Sequence, residues 1–281
     1  MQFAIQYSPE TVQLIDDGQI IVDLIKCPDW ENLVATAQKT RPVYVHFPLM
    51  AGRGTESIDW ASIEKFLKTT NTRFVNMHLG PNTHDFPGMV LEATDTIWRE
   101  QIVERMLLDI EVVRTRFGVD KVILENVPHD PSPRYAIPRL AYDSDVIREV
   151  VYESGCGFLL DTAHAHIASI YLDQDPISYL SRMPGDKIRE LHITGIVYDD
   201  EQQRWHDHFQ LSENDWALAE YTFDQIRNNT WTQPEVVAFE YGGVGDKFAW
   251  RSETAVIAHD APRIYNLMQR AIAQPTTGQT P

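Results

Sequence analysis

Short, almost uninterrupted apolar runs recur along this chain, and most of them end in a side chain able to bind a metal. They include VYVHF with His46, FVNMHL with His78, VILEN with Glu125, FLLDTAH with Asp161 and His164, ELHITG with His192, and VVAFEYGG with Glu240. A continuous apolar run, rather than an alternating one, is what a parallel strand buried on both faces requires. Strands are predicted at 3–6, 20–25, 43–47, 74–79, 121–125, 157–161, 188–193 and 236–240.

Helical stretches lie between these runs, with recognisable starts and stops. Ser8-Pro9 reads as an N-cap with proline at the first helical position, and Gly18 follows as a stop. Ile97, Trp98, Ile102, Met106, Ile110 and Phe117 keep near-helical spacing over 94–117, and Gly118 ends that stretch. Ser144 and Gly155 bracket another helix, Asp175-Pro176 opens a short one, and Ser212 with Asp215 forms a capping-box pattern. This alternation predicts an α/β fold, a single (β/α)8 TIM barrel over residues 1–273, with the polar tail 274–281 disordered. A doubly wound sheet would also alternate, but no GxGxxG follows the first strand. In a barrel the strand ends that carry the ionisable residues meet at one mouth.

Bulk properties narrow the partners. A net charge of −17 repels polyanions and makes nucleic acid unlikely as a partner. Two cysteines without CxxC spacing, Cys27 and Cys156, indicate a reducing, cytoplasmic setting rather than a disulfide framework. No signal peptide is evident, and no run approaches the ~18 apolar residues of a membrane span.

Histidine and carboxylate donors together suit zinc, manganese or non-haem iron. A lone histidine at a strand end is usually a hydrogen-bonded structural residue. Many such ends converging would bury charge at great cost unless cations paired it. The loop RWHDHF adds His206, Asp207 and His208 to the candidates.

These residues resemble the xylose isomerase-like barrels. Members that isomerise or epimerise sugars hold one cation with Glu, Asp, His and Glu on successive strands, an order matched by Glu125, Asp161, His192 and Glu240. Two branches use more ligands, the endonuclease IV enzymes and the multinuclear non-haem iron oxidative enzymes. The resemblance implies that His46 and His78 hold one metal with Glu125. It implies that Glu125 bridges to a second metal on Asp161, His192 and Glu240, and that His164, His206 and His208 complete a third position. Both branches usually carry Asp-x-His in the loop, so either His206 replaces that aspartate or Asp207 is the ligand in a shifted register.

ENVP, CGFLLDTAHAH and ELHITG look most like the multinuclear iron family. That likeness implies two or three Fe, Zn or Mn ions per chain. It also implies oxidative chemistry on a peptide or small thiol substrate, with a possible partner protein delivering it. A mononuclear sugar (phosphate) isomerase or epimerase, with Glu125 and Glu240 moving protons, is the alternative, though it leaves His46, His78, His206 and His208 without a duty. Phosphodiester hydrolysis ranks third because the acidic chain lacks a basic surface. A non-enzymatic metal- or ligand-binding barrel is the contrasting class. Glu125, Glu240 and His164 are the catalytic candidates, and Asn126, Arg53 and Lys247 the substrate-binding ones. His129 and Arg134 fall in a proline-rich loop, while His84, His166 and His259 read as structural or surface residues. Cys27 is expected near the mouth and Cys156 at the opposite end.

Overall fold

The computed structural model describes residues 1–245 and 248–272. Eight parallel strands form the central sheet: β1 (Gln2–Gln6), β2 (Leu24–Pro28), β3 (Val43–His46), β4 (Val75–His78), β5 (Val122–Glu125), β6 (Gly157–Asp161), β7 (Ile188–Ile193) and β10 (Val236–Phe239). Their order, β3-β2-β1-β10-β7-β6-β5-β4, is that of a (β/α)8 barrel opened only between β3 and β4. Side chains and single bridges close that seam. Asn76 Oδ1 accepts from Phe47 N at 2.7 Å, Thr72 Oγ1 accepts from Val45 N at 2.8 Å, and Met50 bridges to His78. The predicted tail 274–281 lies outside the described residues, as does Lys247.

Helices α1 (Pro9–Asp16), α2 (Glu31–Ala37), α3 (Trp60–Thr69), α4 (Thr96–Phe117), α5 (Ser144–Ser154), α6 (Thr162–Tyr171), α7 (Pro176–Ser181), α8 (Glu213–Arg227) and α9 (Thr254–Ile272) connect and cover the strands. The anticipated caps form where local chemistry decides them. Ser8 accepts from Thr11 N, Ser212 and Asp215 make a reciprocal capping box, and Gly155 ends α5 in the left-handed conformation. No helix among the described residues is long and apolar enough to cross a membrane.

The second strand departs from expectation. The run at 20–25 was expected to pair, but β2 lies at Leu24–Pro28, with Ala4 opposite Leu24 and Pro28 opposite His46. Ile21 is instead exposed. Strand alternation turns Ile25 and Cys27 toward the helices and Lys26 into the barrel. Cys27 is accordingly buried outside the barrel wall, where burial pushes its thiol up to about 12. It is not a mouth residue.

Candidate metal centre

Strand parity builds most of the centre. Glu125 and Asp161 close β5 and β6, His192 stands one residue before the end of β7, all three side chains face inward, and each is at most 1% exposed. The pairing of Asp161 with His192 across β6 and β7, and of His78 with Glu125 across β4 and β5, makes them neighbours. Glu125 faces two ways. Its Oε2 lies 3.4 Å from His46 Nε2 and 3.2 Å from His78 Nε2, while Oε1 lies 3.6 Å from His164 Nδ1 and 3.8 Å from His192 Nδ1.

Most of the histidines are oriented by a second contact. The Nδ1–H of His78 donates to Leu49 O at 3.2 Å, that of His164 to Asn126 O at 2.8 Å, and that of His208 to Glu240 O at 2.8 Å. His192 is turned the other way, donating from Nε2 to Glu190 Oε1 at 2.7 Å and aiming Nδ1 at the centre. Such partners fix the tautomer and leave the opposite nitrogen's lone pair for a cation. At His46, the Nδ2 of Asn76 donates to Nε2 at 3.0 Å, so a cation there would take over that lone pair. Asp161 serves twice: Oδ1 caps α6 by accepting from His164 N at 2.8 Å, and Oδ2 points inward. That capping geometry is why the DTAH spacing brings Asp161 and His164 together.

A hairpin, where the sequence predicts a loop, carries the remaining candidates. Strands β8 (Gly195–Asp199) and β9 (Arg204–Phe209) pair antiparallel directly after β7. Glycine is required at 195, because a Cβ there would sit 2.0 Å from Gln210 O. The register slips between Gly195 and Val197, which face Phe209 and His206, so β9 holds an extra residue, and His208 takes φ +62°. A regular strand would put His206 and His208 on one face. The bulge instead turns Asp207 and His208 to the centre together. Asp207 Oδ2 lies 2.9 Å from His164 Nε2 and 3.7 Å from His208 Nε2, whereas His206 Nε2 lies 3.8 Å from Asp199 on the hairpin itself. The geometry places Asp207, and not His206, beside His164 and His208. Arg204 pins the hairpin to Asp130 in the loop after β5 at 3.0 Å.

Two residues expected at the substrate make backbone contacts. Both amide atoms of Asn126 bond the Asp161 backbone at 2.9 Å, extending the β5–β6 ladder by one step. The Arg53 guanidinium donates to the carbonyls of Gly80, Arg134 and Tyr135 and ties three mouth loops together. His129 stands apart, bonded to Tyr142 and stacked on Tyr171, and His166 pairs with Asp215 at 2.8 Å between α6 and α8. The sequence reading missed Lys26, Asn76 and Glu190. Lys26 Nζ pairs with Glu240 Oε1, and both side chains are almost fully buried. A charged residue inside LIKC was the available signal.

Burial of so many ionisable side chains perturbs the centre. Burial pushes Glu125 up to about 8, with Asp161 and Glu190 adding to the rise and His164 and Lys26 opposing it. Burial also raises Asp161, lowers His78 and His208 to about 3, and holds His46 and His192 well below the usual range. His164 goes the other way: burial would lower it, but Asp161 and Asp207 bring it to about 10. Three buried atoms, Glu125 Oε2, Asp161 Oδ2 and His192 Nδ1, have no hydrogen-bond partner. Unpaired buried polar atoms are costly, and divalent cations in the centre would satisfy them. The donors fall into three overlapping triples, His46–Glu125–His192, Glu125–Asp161–His164 and Asp161–His192–Glu240, each with ligand atoms within 4.8 Å of one another. The residues fit metal.

A family model described as "RiPP precursor modification enzyme MbnB/TglH/ChrH" matches residues 27–232. A UPF0276 protein of Acinetobacter baylyi is 24% identical over 196 residues, 68% of this chain and 66% of that protein. A UPF0276 protein of Alcanivorax borkumensis is 23% identical over 65% of this chain and 62% of its own length, and one of Rhizobium meliloti 25% identical over 83% and 72%. The matched stretch thus spans less than two thirds of the first two relatives. Among solved structures, a xylose isomerase domain protein from Alicyclobacillus acidocaldarius superposes with TM-score 0.55 at 14% identity, covering 96% of this chain and 99% of its own. A family 2 AP endonuclease from Brucella melitensis gives 0.52 at 14% identity, covering 93% and 98%. These likenesses establish the xylose isomerase-like barrel fold.

Proposed function

The chain belongs to the MbnB/TglH/ChrH family of RiPP precursor modification enzymes, and on that basis we propose that it is a multinuclear, iron-dependent oxidative enzyme acting on a cysteine-bearing peptide precursor. A partner protein that presents the peptide is part of the same proposal. The observation that carries it is the two-sided Glu125 carboxylate, with His46 and His78 on Oε2 and His164 and His192 on Oε1. A one-metal sugar epimerase has no use for the first pair.

Bound iron would supply the redox chemistry. The protein's share is positioning and proton handling. Glu125 and Asp161 hold unpaired oxygens in the centre on rigid strand ends, so little reorganisation is needed there. Glu190 and the Leu49 and Glu240 carbonyls hold three imidazoles in a single tautomer, and the Asn126 carbonyl orients His164. His164 Nε2 shares its proton with Asp207 Oδ2 and can release it as positive charge arrives.

The test is anaerobic purification with iron, metal counting, then exposure to O₂ with a cysteine-containing precursor peptide and its presenting protein. More than one iron per chain and an oxygen-dependent mass change in the peptide are expected. A single ion per chain that supports ketose epimerisation, with the peptide unchanged, would overturn the proposal.

A further inference from the structure

Segment 248–251, in the connection after β10, is tied to the mouth on two sides. Trp250 packs on Phe209, the residue after His208, with ring centroids 4.5 Å apart, and Phe248 meets Trp30 beyond β2 at 6.4 Å. Arg251 ends the segment with its guanidinium 4.6 Å from the Phe248 ring centroid. Glycine at 243 leaves the room for this pair, since a Cβ there would come 2.5 Å from Phe248 Cβ and 3.2 Å from Arg251 Nε. Arg251 is partly buried, its Nε is buried without a hydrogen-bond partner, and no carboxylate among the described residues forms an ion pair with it. Asp207 and His208 both feel its charge.

An unpaired guanidinium is unusual in a chain with 41 Asp and Glu against 24 Lys and Arg. Two other arginines of the mouth loops have partners: Arg53 bonds three carbonyls and Arg204 pairs with Asp130. A guanidinium is a rigid planar fork that matches a carboxylate, and an aromatic face beside it fixes its plane while leaving an edge for the oxyanion. We propose that Arg251 binds a carboxylate of the substrate, clamping it on the hairpin side of the mouth while the thiol enters the centre. This rests on the peptide-oxidation reading and narrows the substrate to a cysteine with a carboxylate close by, either the peptide's own C-terminus or an acidic neighbour.

Binding of small thiols tests this without reference to turnover. The iron-loaded full chain would be titrated anaerobically with two pairs of probes, followed by calorimetry and by thiolate-to-iron absorption. One pair is N-acetyl-alanyl-cysteine and its carboxamide; the other is the carboxamides of N-acetyl-cysteinyl-aspartate and N-acetyl-cysteinyl-asparagine. In at least one pair the carboxylate-bearing member should bind about 10–100-fold more tightly than its uncharged counterpart, and the pair that discriminates identifies the source of the carboxylate. Arg251→Gln should abolish that difference and leave the affinity of the uncharged member unchanged. Arg251→Lys should keep only part of it, since an ammonium makes no fork. Equal affinities within both pairs in the wild type, or a difference that survives Arg251→Gln, would overturn the clamp and leave the oxidative reading standing. Failure of every thiol to bind the iron-loaded wild type would sink both. Should the variants not fold, the comparison of acids with amides in the wild type decides alone.

Discussion

The centre is assembled from two kinds of backbone. Glu125, Asp161 and His192 sit at the ends of barrel strands, in a ladder whose parity allows one inward choice. Asp207 and His208 sit on a hairpin that is partly exposed along its length and is set by a single bulge and by the Arg204–Asp130 pair. A strand end states which side chain faces in, because a slip of one residue would turn the whole strand inside out. A bulged hairpin does not, because one extra residue reverses the parity without touching the core. Rigidity and legibility in sequence therefore go together.

The comparison can be tested by breaking each part. Glu125→Ala removes the carboxylate that both sides share. Metal content should fall close to zero and activity by more than the ~100-fold that loss of an outer-shell partner brings. Retention of wild-type metal would show that the strand-borne half is not the core. On the hairpin, Asp207→Asn should lower metal occupancy and activity, whereas His206→Ala should leave metal content unchanged. The reverse ranking, read by the same metal analysis, would restore the unbulged register.

Supporting contacts should have smaller effects. Glu190→Gln keeps a hydrogen-bonding group beside His192 Nε2 but removes the charge, and should weaken metal binding by about 10–100-fold. Competition with a chelator would measure it. The smallest effect is on pH. Glu125 in the metal-free chain titrates at about 8 and His164 at about 10, so both carry protons at pH 6–8 that a cation must displace. Affinity should thus rise with pH across that window, about tenfold per unit if one proton is released and a hundredfold if two. His78 and His208, lowered to about 3, are already neutral there and add nothing to the slope. Calorimetry in buffers of different ionisation enthalpy counts the protons, and an affinity flat from pH 6 to 8 would contradict the picture.

What could be read from the sequence follows the same division. The strand ends at His46, His78, Glu125, Asp161 and His192 were legible because a buried parallel strand announces itself as an apolar run and its terminus is conspicuous. Lys26 hid for the same reason, since a charge within LIKC reads as a strand's end and only its pairing with Glu240 makes it an interior residue. The backbone contacts of Asn126 and Arg53 were not legible, because sequence does not reveal which nearby backbone groups a polar side chain will bond.

By itself the sequence determined the alternation of strands and helices, the capped helix starts and the order of donors around the barrel, because each depends on local periodicity or on neighbours a few residues apart. Tertiary structure decided the seam closed by Asn76, the shift of β2 to Leu24–Pro28, the inward Lys26 and the choice of Asp207 over His206. Each of these is settled by partners tens to hundreds of residues away. Their energy lies in ladders, ion pairs and buried hydrogen bonds that do not exist until the barrel closes.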